Sequence, residues 1–424
     1  MEKQKFYQDC ITILRAELKP ALGCTEPIAV AYAAARAREV LGTMPTQMEV
    51  CCSGNIIKNV KGVNVPHANG MKGIEVAALL GTLVGDASKE LEVLEYVMQE
   101  HIALMKELLG SGLCKCTLRE NVANLYIDIT MRSGSQSAEV EVKDTHTNIT
   151  RIVHNGEVLL NKENDAAQEW NLGALKKSLT LEKILDFAKN VDLAGVKELL
   201  DQQIRLNSAI SAEGLQNKYG ANIGQMLLER GQDVRILACA KSAAGSDARM
   251  NGCPLPVVIN SGSGNQGITA CMPVLTYAER LHADSEQIYR ALLISNLVAI
   301  YQKTFIGSLS AFCGAVCAAA GSGAAITYLQ GGTDEQIGNT IINTLANIGG
   351  MVCDGAKSSC AAKIASAVEA AILGSEMSLQ NKRFQSGDGI VKENAEQTIQ
   401  SVGRMARVGM KGTDIEILNI MLEN

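Results

Sequence analysis

Apolar residues between positions 3 and 17 recur at helical spacing, with Ile11, Ile13, Leu14 and Leu18 on the predicted core-facing side. Pro20 ends that run. A second helix is predicted within "ALGCTEPIAVAYAAARAREVLG", with Thr25 as its capping candidate and Pro27 in its first turn. The pattern then changes. "TQMEVCCS" and "VKGVNVP" read as strands on either side of a polar turn, "GNIIKN", and residues 74–110 return to a helical period. Between 114 and 160 the segments "CKCTLR", "ANLYIDITMR", "SAEVEVKD", "TNITRIVHN" and "EVLLN" alternate with period two. "SGSQ" and "HNGE" mark hairpin turns between them. The polar stretch "NKENDAAQEWNLGALKKS" reads as a linker. From about 180 onward the period is helical, except in a glycine-rich stretch between 245 and 267.

These elements predict an α+β fold, a mainly antiparallel β/α region followed by a large, mostly helical one. The expected divisions are 1–44, N-terminal helices packing on the helical region; 45–165, β-rich; and 166–424, mostly helical and catalytic. Aromatic residues make up only 4% of the chain, so the core must be packed with Ala, Leu, Ile and Val. Runs such as "GAVCAAAGSGAA" allow helices to approach closely. A net charge of −6 offers no electrostatic footprint for nucleic acid. No basic run or Lys/Arg-rich amphipathic helix suggests a membrane surface. The longest low-charge stretch, residues 291–332, is interrupted by Lys303 and crowded with small residues, which predicts buried helices rather than a membrane span. The charged, amphipathic start lacks the apolar core of a signal peptide, so a cytoplasmic protein is expected.

Thirteen cysteines in a cytoplasmic chain need a reason other than disulfides, which are disfavoured there. Small apolar filler, metal ligands and catalytic thiols are the alternatives. Cys353 and Cys360 stand seven apart in "CDGAKSSC", and Cys313 lies forty residues upstream. Cys24 stands just before a predicted helix N-terminus, where unpaired N–H groups favour a thiolate, so its pKa is expected to be lowered. Two Ser-Gly-Asn loops, "CSGNIIKN" at 52–59 and "GSGNQGIT" at 262–269, are similar enough to face one ligand. Asp247 and Arg249 of "SDARM" are either a structural ion pair or a carboxylate clamp.

Taken together, "KPALGCTEP", "SDARMNG", "NSGSGNQGITA", "LSAFC" and "MVCDGAKSSCAAK" resemble the bacterial and archaeal L-cysteine desulfidases, within the wider group of iron–sulfur L-serine dehydratases. The resemblance runs from about residue 5 to the C-terminus. It implies a [4Fe-4S] cluster with one iron open to substrate, held by Cys313, Cys353 and Cys360, and it places Cys24 at the catalytic thiol. Cys317 and Cys271 match no ligand position. His146 in "KDTHTNI" also matches a family-like segment, and His67 takes no role.

The residue chemistry agrees with that set. Thiolates ligate clusters, and an open iron acts as a Lewis acid on a leaving group. The substrate carboxylate needs donors. The glycine-rich loop offers Ser261, Ser263, Gly264, Asn265 and Gln266 as an anion-binding nest, and the other loop offers Ser53, Asn55, Lys58 and Asn59. The resulting expectation is a lyase that eliminates sulfide from cysteine to give pyruvate, ammonia and hydrogen sulfide. Serine dehydration is the alternative within the class, and a non-enzymatic iron–sulfur sensor the alternative outside it. The expected partner is a small amino acid, with neither nucleic acid nor membrane, and a homodimer is an admissible assembly.

Overall fold

The computed structural model describes residues 2–162, 167–307 and 309–423. It is an α+β protein. Eight strands are present among the described residues: β1 (Pro20–Leu22), β2 (Gln47–Cys52), β3 (Cys114–Leu118), β4 (Tyr126–Ser133), β5 (Gln136–Lys143), β6 (Ile149–His154), β7 (Glu157–Asn161) and β8 (Pro256–Val258). Strands β2 to β7 form one sheet in the order β3-β2-β4-β5-β6-β7. Only β2 and β3 run parallel; every other pair is antiparallel. The alternation of β5 is literal: Ala138, Val140 and Val142 are buried, and the residues between them are not.

One face of this sheet is covered by the helix Thr25–Leu41, whose Ile28, Val30, Ala34 and Ala37 share a core with Val50, Ile129 and Val140. The sequence pattern places this helix with the helical region. Instead its alanine-rich surface lets it lie flat on the sheet and against the helix Ile74–Val84, where a Cβ on Gly81 would stand 2.2 Å from the carbonyl oxygen of Ala31. The first helix, Glu2–Glu17, does pack among the later helices, through Tyr7, Ile13 and Leu14 against Phe187 and its neighbours.

Four other local expectations change. "GNIIKN" is not a turn but the start of a helix, Gly54–Lys61, and "VKGVNVP" forms no sheet strand. Ser53 caps the helix by accepting the N–H of Ile56, and Ile56 and Val60, one turn apart, are buried on one side. The expected linker is helical over Ala167–Lys177, while residues 163–166 of it lie outside the described residues. The cap of helix Thr25–Leu41 is Cys24, not Thr25.

In the second half, the helix Gly314–Leu329 is surrounded by Gly264–Leu281, Ser285–Ile306, Asp334–Ile348 and Cys360–Leu379. Small residues permit this: a Cβ on Gly321 would lie 2.4 Å from the carbonyl oxygen of Ser295. The two halves are tied by β1 and β8, which pair antiparallel with Pro20 opposite Val258 and Leu22 opposite Pro256. Among the described residues, no helix is long and apolar enough to cross a membrane.

Candidate active site

The short β1–β8 pairing brings the start of helix Thr25–Leu41 against the glycine-rich loop, where the Thr25 hydroxyl donates to the carbonyl of Gly262 at 2.9 Å. Next to that contact lies a cavity of about 100 Å³ between the halves. The first half contributes Cys24, Glu26, Asn59 and His146; the second contributes Arg249, residues 261–266 other than Gly264, Lys303, Cys313, Cys353, Cys360 and Lys363.

Cys313, Cys353 and Cys360 therefore line one cavity although forty residues of chain separate the first two. Local pairing explains it. Phe312 and Val352 form a β-bridge, Cys313 N–H donates to Met351 at 3.0 Å, and Cys353 N–H donates to Ala311 at 2.6 Å. Cys313 precedes the helix Gly314–Leu329, and Cys360 is the first residue of Cys360–Leu379. The loop between Cys353 and Cys360 is pinned by Asp354, which pairs with Lys357 and Lys363. Burial opposes ionisation of Asp354, but these two lysines hold its carboxyl down at about 2. Gly355, at φ 93°, allows the loop to cross helix Gly54–Lys61, since a Cβ there would meet the carbonyl oxygen of Lys58 at 2.5 Å. Burial, with Cys353 alongside, raises the Cys313 thiol to about 12. Cys271 and Cys317 are fully buried in helices and outside the lining.

Cys24 reaches the cavity, but its expected low pKa is not found. Its side chain makes no cap bond; the Sγ donates to Glu26 Oε2 at 2.9 Å. Burial and the adjacent carboxylate raise the thiol well above its ordinary value, and Arg249 only partly offsets them. The helix terminus loses to desolvation. Glu26, in the first turn of helix Thr25–Leu41, is the hub of this wall. It also accepts from Thr25 Oγ1 at 3.1 Å and Asn59 Nδ2 at 3.4 Å, with His146 Nε2 3.8 Å away. Burial alone would raise it; His146, Cys24 and Arg249 hold it ionised, at about 2.

The chain belongs to the serine dehydratase alpha chain family. The model of that family matches residues 88–419. Over 421 residues, 98% of this chain and all of the relative, it is 54% identical to a protein of Lachnoclostridium phytofermentans called UPF0597 protein. Relatives of the same name occur in Finegoldia magna, 49% identical over 97% of this chain and 98% of that one, and in Desulfitobacterium hafniense, 49% identical over 100% and 98%. The family-matched segment holds His146, Arg249, the glycine-rich loop and all three cysteines of the cavity; Cys24, Glu26 and Asn59 lie upstream of it. A serine dehydratase is a lyase, so this is a protein of a lyase family.

Within this family member, the two Ser-Gly-Asn triplets do not share the cavity. Ser261, Ser263, Asn265 and Gln266 line it, while Gly264 packs directly against the Arg249 guanidinium. Of the other loop only Asn59 arrives. Ser53 is held by Asn124 and its own helix, and Asn55 and Lys58 both turn to Asp414 of the C-terminal helix Lys411–Leu422. Of the two alternatives for "SDARM", the ion pair is not formed. Asp247 accepts the N–H of Gly224 at 3.0 Å and makes no ion pair with Arg249 among the described residues. Lys303 and Lys363 add two cationic side chains to the lining. Burial pulls the Lys303 ammonium below its usual value, against the thiols of Cys317, Cys353 and Cys313. Lys303 had a sequence signal: a lone lysine inside a 42-residue low-charge stretch, residues 291–332. Glu26 had none, because carboxylates are ordinary in a helix's first turn.

Proposed function

We propose that the protein is an iron–sulfur-dependent lyase that eliminates sulfide from L-cysteine, with release of pyruvate and ammonia. The observation that carries this reading is the meeting of Cys313, Cys353 and Cys360 in one cavity with the buried Cys24–Glu26 pair. The thiol donor set suits iron and sulfur. Among the described residues, no three His, Cys, Asp or Glu side chains converge on a point as ligands of a single ion would. A [4Fe-4S] cluster presents a separate iron to each thiolate, so its ligands need not converge. Cys313, Cys353 and Cys360 would hold such a cluster, which would supply an iron Lewis acid for the β-leaving group.

The remaining chemistry falls to the chain. Asn59, Ser261, Ser263, Asn265 and Gln266 orient the substrate. Cys24 is the proposed base for the Cα proton. In this structure its thiol is protonated; an α-ammonium entering beside it would add positive charge and favour the thiolate. Loss of the Cα proton and the Cβ sulfur leaves aminoacrylate, which rearranges to the imine and hydrolyses. Cys24→Ser should retain iron and lose about two powers of ten in turnover, the scale for a general base. Near-normal turnover would move the base to Lys303 or His146. Because the free thiol is held protonated, alkylation of Cys24 at pH 7 should be slow without ligand; rapid labelling would contradict the geometry.

The family description favours a second reading, dehydration of L-serine. Anaerobic assay decides. Sulfide and pyruvate from cysteine support the first reading, and pyruvate from serine without turnover of cysteine supports the second. Iron-loaded protein inert toward both would point to a sensor.

A further inference from the structure

Four amide side chains lie wholly buried behind the glycine-rich loop: Gln203, Asn207, Asn260 and Asn296, each 0% exposed. Amides in an aliphatic core are costly unless they are hydrogen-bonded, and here every one is. Gln203 and Asn296 pair head to tail, at 3.0 and 2.8 Å. Asn296 Nδ2 also donates to the carbonyl of Leu292 at 2.9 Å. Asn260 Nδ2 donates to Asn296 Oδ1 at 3.0 Å and to the Asn296 carbonyl at 3.3 Å. Asn207 brackets β8, accepting the N–H of Val258 at 2.8 Å and donating to its carbonyl at 3.2 Å. Gln203 and Asn296 belong to the helices Lys197–Gln216 and Ser285–Ile306, and neither lines the candidate cavity.

These bonds have a direction. A backbone carbonyl only accepts, so the carbonyls of Leu292 and Asn296 fix which end of the Asn296 and Asn260 amides is the nitrogen. The Asn260 oxygen must then face Ser261, whose hydroxyl donates to it at 2.9 Å. With its proton spent there, Ser261 offers the cavity lone pairs alone. Ser263 is the reverse. Its oxygen accepts the N–H of Gln266 at 3.4 Å, and its proton has no acceptor among the described residues. Both serines line the cavity. Ser261 stands at φ 50° and Gly262 at φ 78°, and a left-handed serine persists only where its surroundings hold it. We infer that Gln203 and Asn296 are positioning residues that act through Asn260 to set the hydrogen-bond polarity of the loop: Ser261 accepts from a donor on the ligand, and Ser263 donates to an acceptor. The sequence pattern offers both serines as donors. This deepens the lyase reading at its substrate wall, and it rests on that reading only for the choice of cavity.

Neutron diffraction from anaerobically grown, ligand-free crystals of the iron-loaded protein, exchanged into heavy water, reads the polarity without turnover. The Ser261 deuteron should point at Asn260 Oδ1, and the Asn260 amide nitrogen at the Asn296 carbonyl. A Ser261 deuteron directed into the cavity, or an Asn260 amide turned the other way, overturns the proposal. The positioning role is read in the holoenzyme by a double-mutant cycle on KM. Ser261→Ala and Asn296→Leu should each raise KM by about tenfold, the scale of one lost hydrogen bond. The double variant should be no worse than either alone, because both remove the same contact. A merely structural role for Asn296 would make the two effects multiply, to about a hundredfold. That product, or an unchanged KM in Asn296→Leu, overturns the role. Should Asn296→Leu not fold, Gln203→Met replaces it in the cycle and is read by the same rule. If neither cysteine nor serine yields pyruvate, the lyase reading falls, and the neutron result still decides the polarity of the loop.

Discussion

The two Ser-Gly-Asn loops are locally alike and differ in what surrounds them. In each, the serine caps a helix, accepting the N–H three residues on at 3.4 Å, and the glycine is the first helical residue. Around Gly264 the neighbour is the Arg249 guanidinium; around Gly54 it is Leu418 of the C-terminal helix. Asn265 accordingly holds a cavity arginine, and Asn55 holds Asp414. The same four-residue cap builds a ligand wall in one place and anchors a terminal helix in the other. A loop motif specifies its own turn, and its partner across space specifies its use.

The comparison is broken or sharpened most strongly at Asp414. Lys58 is 1% exposed, and Asp414→Asn would leave its ammonium without a counter-charge. Denaturant unfolding should show a loss of about 3 kcal/mol, with turnover at low temperature kept. Lost turnover with intact stability would give the first loop a direct role. Next come the glycines. Gly264→Ala should displace the arginine and reduce kcat/KM by about a hundredfold, equivalent to about 2.7 kcal/mol. Gly54→Ala should only push Leu418 aside and leave kcat/KM unchanged. The asparagines follow. Asn265→Ala should raise KM by about tenfold for loss of its bond to a charged group, while Asn55→Ala should register in thermal stability alone. The smallest effect is also the shared one: Ser53→Ala and Ser263→Ala should each lower stability by about 1 kcal/mol. Unequal cap losses would show that the two loops are less alike than their hydrogen bonds.

Much of this was legible in the chain. Period-two alternation located β5 because one of its faces meets a core, and it also flagged β7, which has no buried residue; helical periodicity located those later helices that have one side buried. Cys313, Cys353 and Cys360 were singled out by flanking motifs, and the structure collects them in one cavity. The strand expected at "VKGVNVP" was misplaced because Val63 and Val65 are buried by packing without a ladder. The turn at "GNIIKN" was misread because Ser53 as a cap outweighs the polar composition that follows it.

What the sequence by itself determined is local: caps, periods, and which segments carry thiols, since these depend on neighbours within about a turn. Tertiary structure alone decided the electrostatics and the partners. Cys24 stands at a helix start, as expected there, yet burial beside Glu26 makes it a protonated thiol. Arg249 and Asp247 are two residues apart and do not pair; one faces the cavity and the other the N–H of Gly224. The physical reason is range. A cap or a period is set by bonds a few residues long, whereas desolvation and charge pairing are set by whatever distant chain arrives, here through the three-residue strands β1 and β8 that close one half of the molecule onto the other.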